Sequence, residues 1–208
     1  MVNFLKYFDK VYCINLDRRP DRWDKVKLEF DKWGINNVER YSAIDGKTIE
    51  NESHLLDGEI GILQTHYDII KKCKEEKLNN VLIMEDDVYF TEEILKFDEY
   101  MGHVPNDWDM IYVGGNHTYG HPPEKVNDKI IRLNNTVAIH CVAIKNTIFE
   151  PLISMAPRRK KQIDGYYAQV QKSFNCYGFT PNVAMQIQGF SDIQNRVVNY
   201  DHFLKRNI

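Results

Sequence analysis

The sequence predicts an α/β fold built on a mostly parallel, twisted central sheet. Two observations carry that expectation. In the first half of the chain, short apolar runs of strand character alternate with longer segments of helical period. In the second half, strand-like runs follow one another closely, which adds antiparallel strands to the sheet.

The elements follow in order. KVYCINLD (10–17) reads as a buried strand ending at Asp17. RRPDRWDKVKLEFDKWG is helical, with Pro20 suited to the first turn, Gly34 suited to the position after the last, and Trp23, Val26, Phe30 and Trp33 on one face. VERYSAI (38–44) is a second strand, and DGK (45–47) a turn. GEIGILQTHYDIIKKCKEE (58–76) is the strongest helix; two apolar stripes predict cover on more than one side. Residues 80–88 form the next strand, and a helix with Thr91 as N-cap and an acidic first turn follows. DMIYVGG, KIIRLN, VAIHCVAIK, NCYGFT and NVAMQIQ read as later strands. NTIFEPLISMA reads as a short helix, and DGYYAQVQKSF as one opened by Asp164. The tail from Gly189 shows no clear period.

The 208 residues fit a single domain spanning 1–208, with no repeat or low-complexity linker. A net charge of −3 gives no nucleic-acid signal; the basic run RRKK at 158–161 reads as a solvated loop. The four cysteines make neither a CxxC pair nor a metal-ligand spacing, and a reducing compartment is the simpler expectation. No signal peptide and no run of about 18 apolar residues is visible, so the expected location is the cytoplasm or the cytoplasmic face of a membrane. The P-loop, dinucleotide-binding and nucleophile-elbow motifs do not occur.

The chemistry concentrates where VLIM runs into Glu85, Asp86 and Asp87. Adjacent carboxylates repel, and burial sharpens the repulsion, so something must offset it. Side-chain alternation puts Glu85 and Asp87 on one side and Asp86 on the other for as long as the strand persists. Two carboxylates together can share a hard divalent cation or a network of sugar hydroxyls. The alternative is an acidic N-terminus for the next helix, which Thr91, Glu92 and Glu93 already supply. His66, on an apolar stripe, and His140, within a strand, read as core residues; His202 is the histidine available to complete a metal shell with Asp87.

VYCINLDRRPDRW (11–23), AIDGK (43–47), GEIGILQTH (58–66), VLIMEDDV (81–88), DWDMIYVGG (107–115) and QIQGFSDI (186–193) together resemble glycosyltransferase family 25, the family of lipopolysaccharide-type and collagen galactosyltransferases. Ile62 and Thr65 stand where the family often has Cys and Ser, and Gln162-Ile163-Asp164 where it usually has Pro-Val-Asp. The loop 116–128 matches no pattern of the family. The resemblance implies a GT-A-type nucleotide-sugar-binding domain and transfer, with inversion, of galactose or glucose from a UDP-sugar. The acceptor would be a glycan, a lipid-linked sugar or a collagen-like hydroxylysine. It also implies a divalent metal, Mn²⁺ first and Mg²⁺ second, with Asp87 as its ligand and Glu85 on the metal or its bound water and the ribose; His202, from its position in the sequence alone, is the candidate to complete the shell. Glu85 and Asp86 then serve the nucleotide as well. Asn15 and Asp17 would hold the uridine, and Arg18 or Arg22 the base edge or phosphates. For Asp17 and Arg22 a local cap or ion pair is the competing reading. Asp164 is the first candidate base, ionised by its helix N-terminus, and Asp192 the second. A metal-dependent phosphohydrolase and a catalytically silent sugar-binding module are the alternatives.

Overall fold

The computed structural model describes residues 2–117, 122–194, 196–199 and 201–204. β1 (Lys10–Leu16) leads into α1 (Pro20–Trp33), and β2 (Glu39–Ala43) into α2 (Asp57–Glu75). β3 (Asn80–Glu85) and β4 (Val88–Phe90) precede α3 (Phe97–His103). β5 (Met110–Asn116), β6 (Glu124–Lys125), β7 (Ile130–Arg132) and β8 (Val137–Lys145) come next, then α4 (Phe149–Met155) and α5 (Ile163–Val170). β9 (Cys176–Phe179), β10 (Ala184–Gln186), β11 (Gly189–Ser191), β12 (Arg196–Val198) and α6 (Asp201–Leu204) complete the described chain.

Eight strands form one sheet in the order β2-β1-β3-β8-β5-β9-β7-β6. The α/β class is as expected, but the sheet is mixed: β1 pairs in parallel with β2 and β3, and β5 with β9, while β8 runs antiparallel between β3 and β5. Insertion of β8 interrupts a parallel order that the local alternation of strand and helix cannot reveal. Tyr12 and Ile14 point into a core that includes Leu63, Ile69 and Tyr167; Val11 and Cys13 point into the opposite one, with Val26, Phe30 and Phe97. This is the period of two that a sheet covered on both faces requires. All four cysteines are buried and free.

Gly34 ends α1 at φ 66°, the left-handed conformation that terminates helices. Two other glycines dock α2 on the turn after β2. A Cβ on Gly46 would lie 1.6 Å from the Asp57 carbonyl oxygen, and one on Gly61 2.5 Å from that of Ile44. Thr65 Oγ1 fastens the same contact by accepting the Ile44 N–H at 2.9 Å. The expected helix after Thr91 differs in detail: it starts as a 3₁₀ segment, Glu92–Lys96, and the Thr91 side chain makes no cap. Its hydroxyl lies instead 3.3 Å from the Asn182 and Val183 carbonyl oxygens.

Candidate active site

β1 and β3 lie side by side in parallel, with Ile14 opposite Glu85. Their carboxyl ends therefore bring the NLDRR and EDD segments together, the place where open α/β sheets bind ligands. A cavity of about 420 Å³ opens there, lined in part by Arg18, Arg22, Asp45, Asp87, Gln186 and Asp192.

β3 stops at Glu85, and Asp86–Asp87 form a turn before β4. Strand alternation thus ends one residue before Asp86, which does not face away. Its Oδ2 accepts a hydrogen bond from Asn15 Nδ2 at 2.7 Å, and its Oδ1 pairs with Arg22 Nε at 3.0 Å. Arg22 Nη2 reaches Asp87 Oδ2 at 2.8 Å. One guanidinium therefore bridges both aspartates and offsets part of their repulsion. Burial still pushes the Asp86 carboxyl up to about 6 against Arg22 and Asn15. Gln186 Nε2 donates to Asp87 Oδ2 at 3.1 Å and lies 3.5 Å from Glu85 Oε2, so these two carboxylates do share a side. Burial, then the charge of Asp87, raises Glu85 well above the usual carboxylate range. Asp87 Oδ1 is buried with no hydrogen-bond partner among the described residues.

The other expected residues divide. Asn15 is buried; its amide donates to Asp86 and to the Arg19 carbonyl, and its Oδ1 accepts from Arg40 Nε at 2.9 Å. It orders the acidic turn and also lines the cavity. Asp17 pairs with Arg40 rather than with Arg22 and accepts from Ser42, with its side chain 73% exposed and outside the lining of the cavity. Arg18 and Arg22 line the cavity. Asp192 faces the same cavity, held by Arg18, Arg19 and Arg22. His202 is exposed on α6; among the described residues no three His, Cys, Asp or Glu side chains converge on an ion position, so His202 does not join Glu85 and Asp87. His66 is buried with Nδ1 2.8 Å from the Tyr167 hydroxyl, and burial pushes it down to about 3. His140 is likewise buried, its Nε2 3.1 Å from the Ala184 carbonyl.

A second cavity, of about 650 Å³, adjoins the first; Leu56, Ile62, Glu85, Gln186, Ser191 and Ile193 line both. Asp164 lines the second. It is the second residue of α5, inside the helix rather than its cap. Its Oδ2 accepts the Ala138 N–H at 3.2 Å. Ala138 has φ 68°, beside register shifts in the β5–β8 pairing, so a bulged, left-handed residue aims that N–H at the carboxylate. Burial pushes Asp164 up to about 6, and the Ala138 N–H opposes it. The helix terminus was expected to keep this group ionised; desolvation outweighs it. Gln186 stood in a quoted motif without a role. Arg19 likewise stood in a motif without a role, and Arg40 carried no sequence signal because it acts through Asn15 and Asp17, more than twenty residues away.

The family described as "Glycosyltransferase family 25 (LPS biosynthesis protein)" matches residues 8–201. The chain belongs to glycosyltransferase family 25. Relatives within reach of this family 25 chain include procollagen galactosyltransferase 2 of Mus musculus, 28% identical over 149 residues, which are 61% of this chain and 24% of the relative. A glycosyltransferase 25 family member of Drosophila melanogaster is 32% identical over 130 residues, 51% of this chain and 21% of that protein. The chain thus spans about a quarter of the length of the curated relatives it matches. Among solved structures, A197 from STIV aligns over 95% of this chain and 93% of its own at 11% identity and TM-score 0.46. Among the described residues no helix is long and apolar enough to cross a membrane.

Proposed function

We propose that this family 25 chain transfers a hexose, galactose or glucose, from a UDP-sugar in the first cavity to an acceptor hydroxyl in the second. The observation that carries the reading is the shared wall: Glu85 and Gln186 border both cavities, so the anomeric carbon of a donor in one can face a hydroxyl in the other. The acceptor is a glycan, a lipid-linked sugar or a collagen-like hydroxylysine; procollagen galactosyltransferase 2 of Mus musculus is the relative that favours the last.

A divalent cation, Mn²⁺ or Mg²⁺, fits the residues present. Three cationic side chains and six carboxylates line the first cavity, so a dianionic diphosphate needs a compensating cation. The unpartnered buried Oδ1 of Asp87 offers the hard oxygen such an ion takes, with Glu85 beside it across Gln186. Two protein carboxylates suffice where phosphates and water fill the remaining positions. When bound, the ion supplies charge neutralisation on the departing diphosphate. Asp164 accepts the acceptor's proton as its oxygen attacks the anomeric carbon. The bond from that carbon to the diphosphate oxygen breaks in the same displacement, which inverts the anomeric centre. Ala138 N–H orients the Asp164 carboxylate, and Gln186 spaces Glu85 from Asp87. Asp192 stands on the donor side among guanidiniums, which leaves Asp164 as the base. A phosphohydrolase would leave the second cavity without a task.

The test is a panel of UDP-sugars with and without Mn²⁺. One sugar donor turned over above the rest, and abolished by chelator, is the expected result. Binding of UDP without turnover of any sugar would leave the silent sugar-binding module in its place.

A further inference from the structure

The first cavity already holds an anion on its cations, and that anion belongs to the chain. Asp192 follows β11 and has a side chain only 11% exposed. Its Oδ1 pairs with Arg18 Nη1 at 2.6 Å, and its Oδ2 with Arg19 Nη1 and with Arg22 Nη1 at 3.5 Å. Three guanidiniums from one stretch of five residues thus converge on a carboxylate at the far end of the sequence. The planar donor fork of arginine matches carboxylate and phosphate geometry alike. Arg18 and Arg22 line the cavity.

The element that carries Asp192 is lightly built. Among the described residues β11 and β12 pair only with each other, three residues against three, and Phe190 and Val197, opposite one another, are 47% and 68% exposed. The segment touches α2 at Gly58, where a Cβ would come within 2.5 Å of Ile193 Cα. Ser191 and Ile193 line both cavities, and Arg196 the second. Whatever shifts Asp192 therefore reshapes the wall between them.

We propose that Asp192 is an internal stand-in for a nucleoside diphosphate. In the free protein it occupies the Arg18–Arg19–Arg22 cluster; the diphosphate displaces it and releases the β11–β12 hairpin, so that the second cavity takes its working shape after the first is filled. The inference rests on the first cavity being the donor cavity. A diphosphate brings more charge and more acceptor oxygens than one carboxylate, and the tethered carboxylate competes through its high local concentration. Asp192 is on this account a positioning residue that sets the order of binding.

Calorimetric titration with inorganic pyrophosphate and with UDP, both in EDTA so that only the chain's cations act, tests it on wild type, Asp192→Asn and Asp192→Glu. Asp192→Asn is expected to bind pyrophosphate about tenfold more tightly, within the ~5–150-fold range of ordinary coupling between sites. Asp192→Glu, with the carboxylate back, is expected to return toward wild type. Hydrogen exchange supplies a second readout: pyrophosphate should speed exchange at Ser191–Gln194 in wild type, whereas in Asp192→Asn that segment is fast from the start. Equal or weaker pyrophosphate binding by Asp192→Asn overturns the inference, as does wild type that binds no pyrophosphate. The UDP arm reports separately on the donor reading: UDP no tighter than pyrophosphate would remove the nucleotide from the first cavity while the competition by Asp192 stood.

Discussion

The two cavities treat their carboxylates in opposite ways. In the first cavity, Asp86, Asp87 and Asp192 are gripped by guanidiniums from α1 and the turn before it. In the second cavity, Asp164 meets, among the described residues, one backbone N–H. Asp86 and Asp164 nonetheless both reach about 6, and burial is the largest cause for each. For Asp86 that value is what remains after Arg22 and Asn15 have pulled it down; for Asp164 the opposing contact among the described residues is the Ala138 N–H. A carboxylate bound in ion pairs can organise charge, whereas an unpaired one of raised pKa can take a proton at neutral pH. Under the proposed function, the same residue type would serve binding on one side of the wall and acid–base chemistry on the other.

The most direct way to break that division is Asp164→Asn. The substitution is expected to lower kcat by roughly 10²–10⁴-fold, the usual weight of a general base. UDP affinity should stay unchanged, because Asp164 does not line the first cavity. Steady-state transfer assays beside UDP titration check both halves. An active Asp164→Asn enzyme would take the base away from the second cavity.

On the donor side, Asp87→Asn should weaken Mn²⁺ binding by at least the roughly 10–100-fold that losing an outer partner of a metal site costs. Titration of the ion followed by its paramagnetic signal, with no sugar present, measures this apart from turnover. Unchanged affinity would mean that the unpartnered Asp87 Oδ1 is not a ligand.

Both cavities depend on the same start of α2, so the shared wall can be disturbed without touching a charge. Gly46→Ala places a methyl 1.6 Å from the Asp57 carbonyl oxygen. Overpacking of this kind costs about 1–3 kcal/mol, or about 2–4 °C of melting temperature per kcal/mol in a chain this long. Gly102→Ala is the control: among the described residues, no heavy atom beyond its chain neighbours and its own helix backbone lies within 4 Å of its added methyl, and alanine in a helix should stabilise by about 0.5–1 kcal/mol. Thermal melts of the two variants should move in opposite directions.

These contacts also mark how far the sequence could be read. The α/β class was legible because strand and helix periods are local, as were the Pro20 start and Gly34 stop of α1. The position of β8 between β3 and β5 was not, since it depends on pairing between distant segments. At the site, local spacing brought Glu85, Asp86 and Asp87 to notice, and alternation correctly put Glu85 and Asp87 at one amide. It failed for Asp86, because the strand ends one residue earlier and Arg22 draws the side chain in. The cation that offsets the repulsion comes from the first motif, more than sixty residues away in the chain. The aperiodic tail hid the hairpin, whose three-residue strands are too short to show alternation.

The smallest expected effect is the most specific to the unpaired carboxylate. Asp164 is pushed from 3.8 up to about 6 in the folded protein. A raised carboxyl favours the fold while it is protonated, and that contribution is lost as pH rises through about 6. Above that pH the wild type therefore carries a partly buried negative charge that, among the described residues, makes no ion pair. Asparagine keeps the oxygen that accepts the Ala138 N–H and removes the charge. Asp164→Asn should thus melt higher than wild type at pH 8, by the few degrees that about 1 kcal/mol gives in a chain of this size, after solvent on the cavity side screens part of the effect. At pH 4, where the wild-type carboxyl is protonated in the folded state, the difference should vanish. Melting curves of the two proteins from pH 4 to pH 8 measure it. A constant offset across that range would mean that Asp164 does not titrate near 6, and that the two sides of the wall are electrostatically alike.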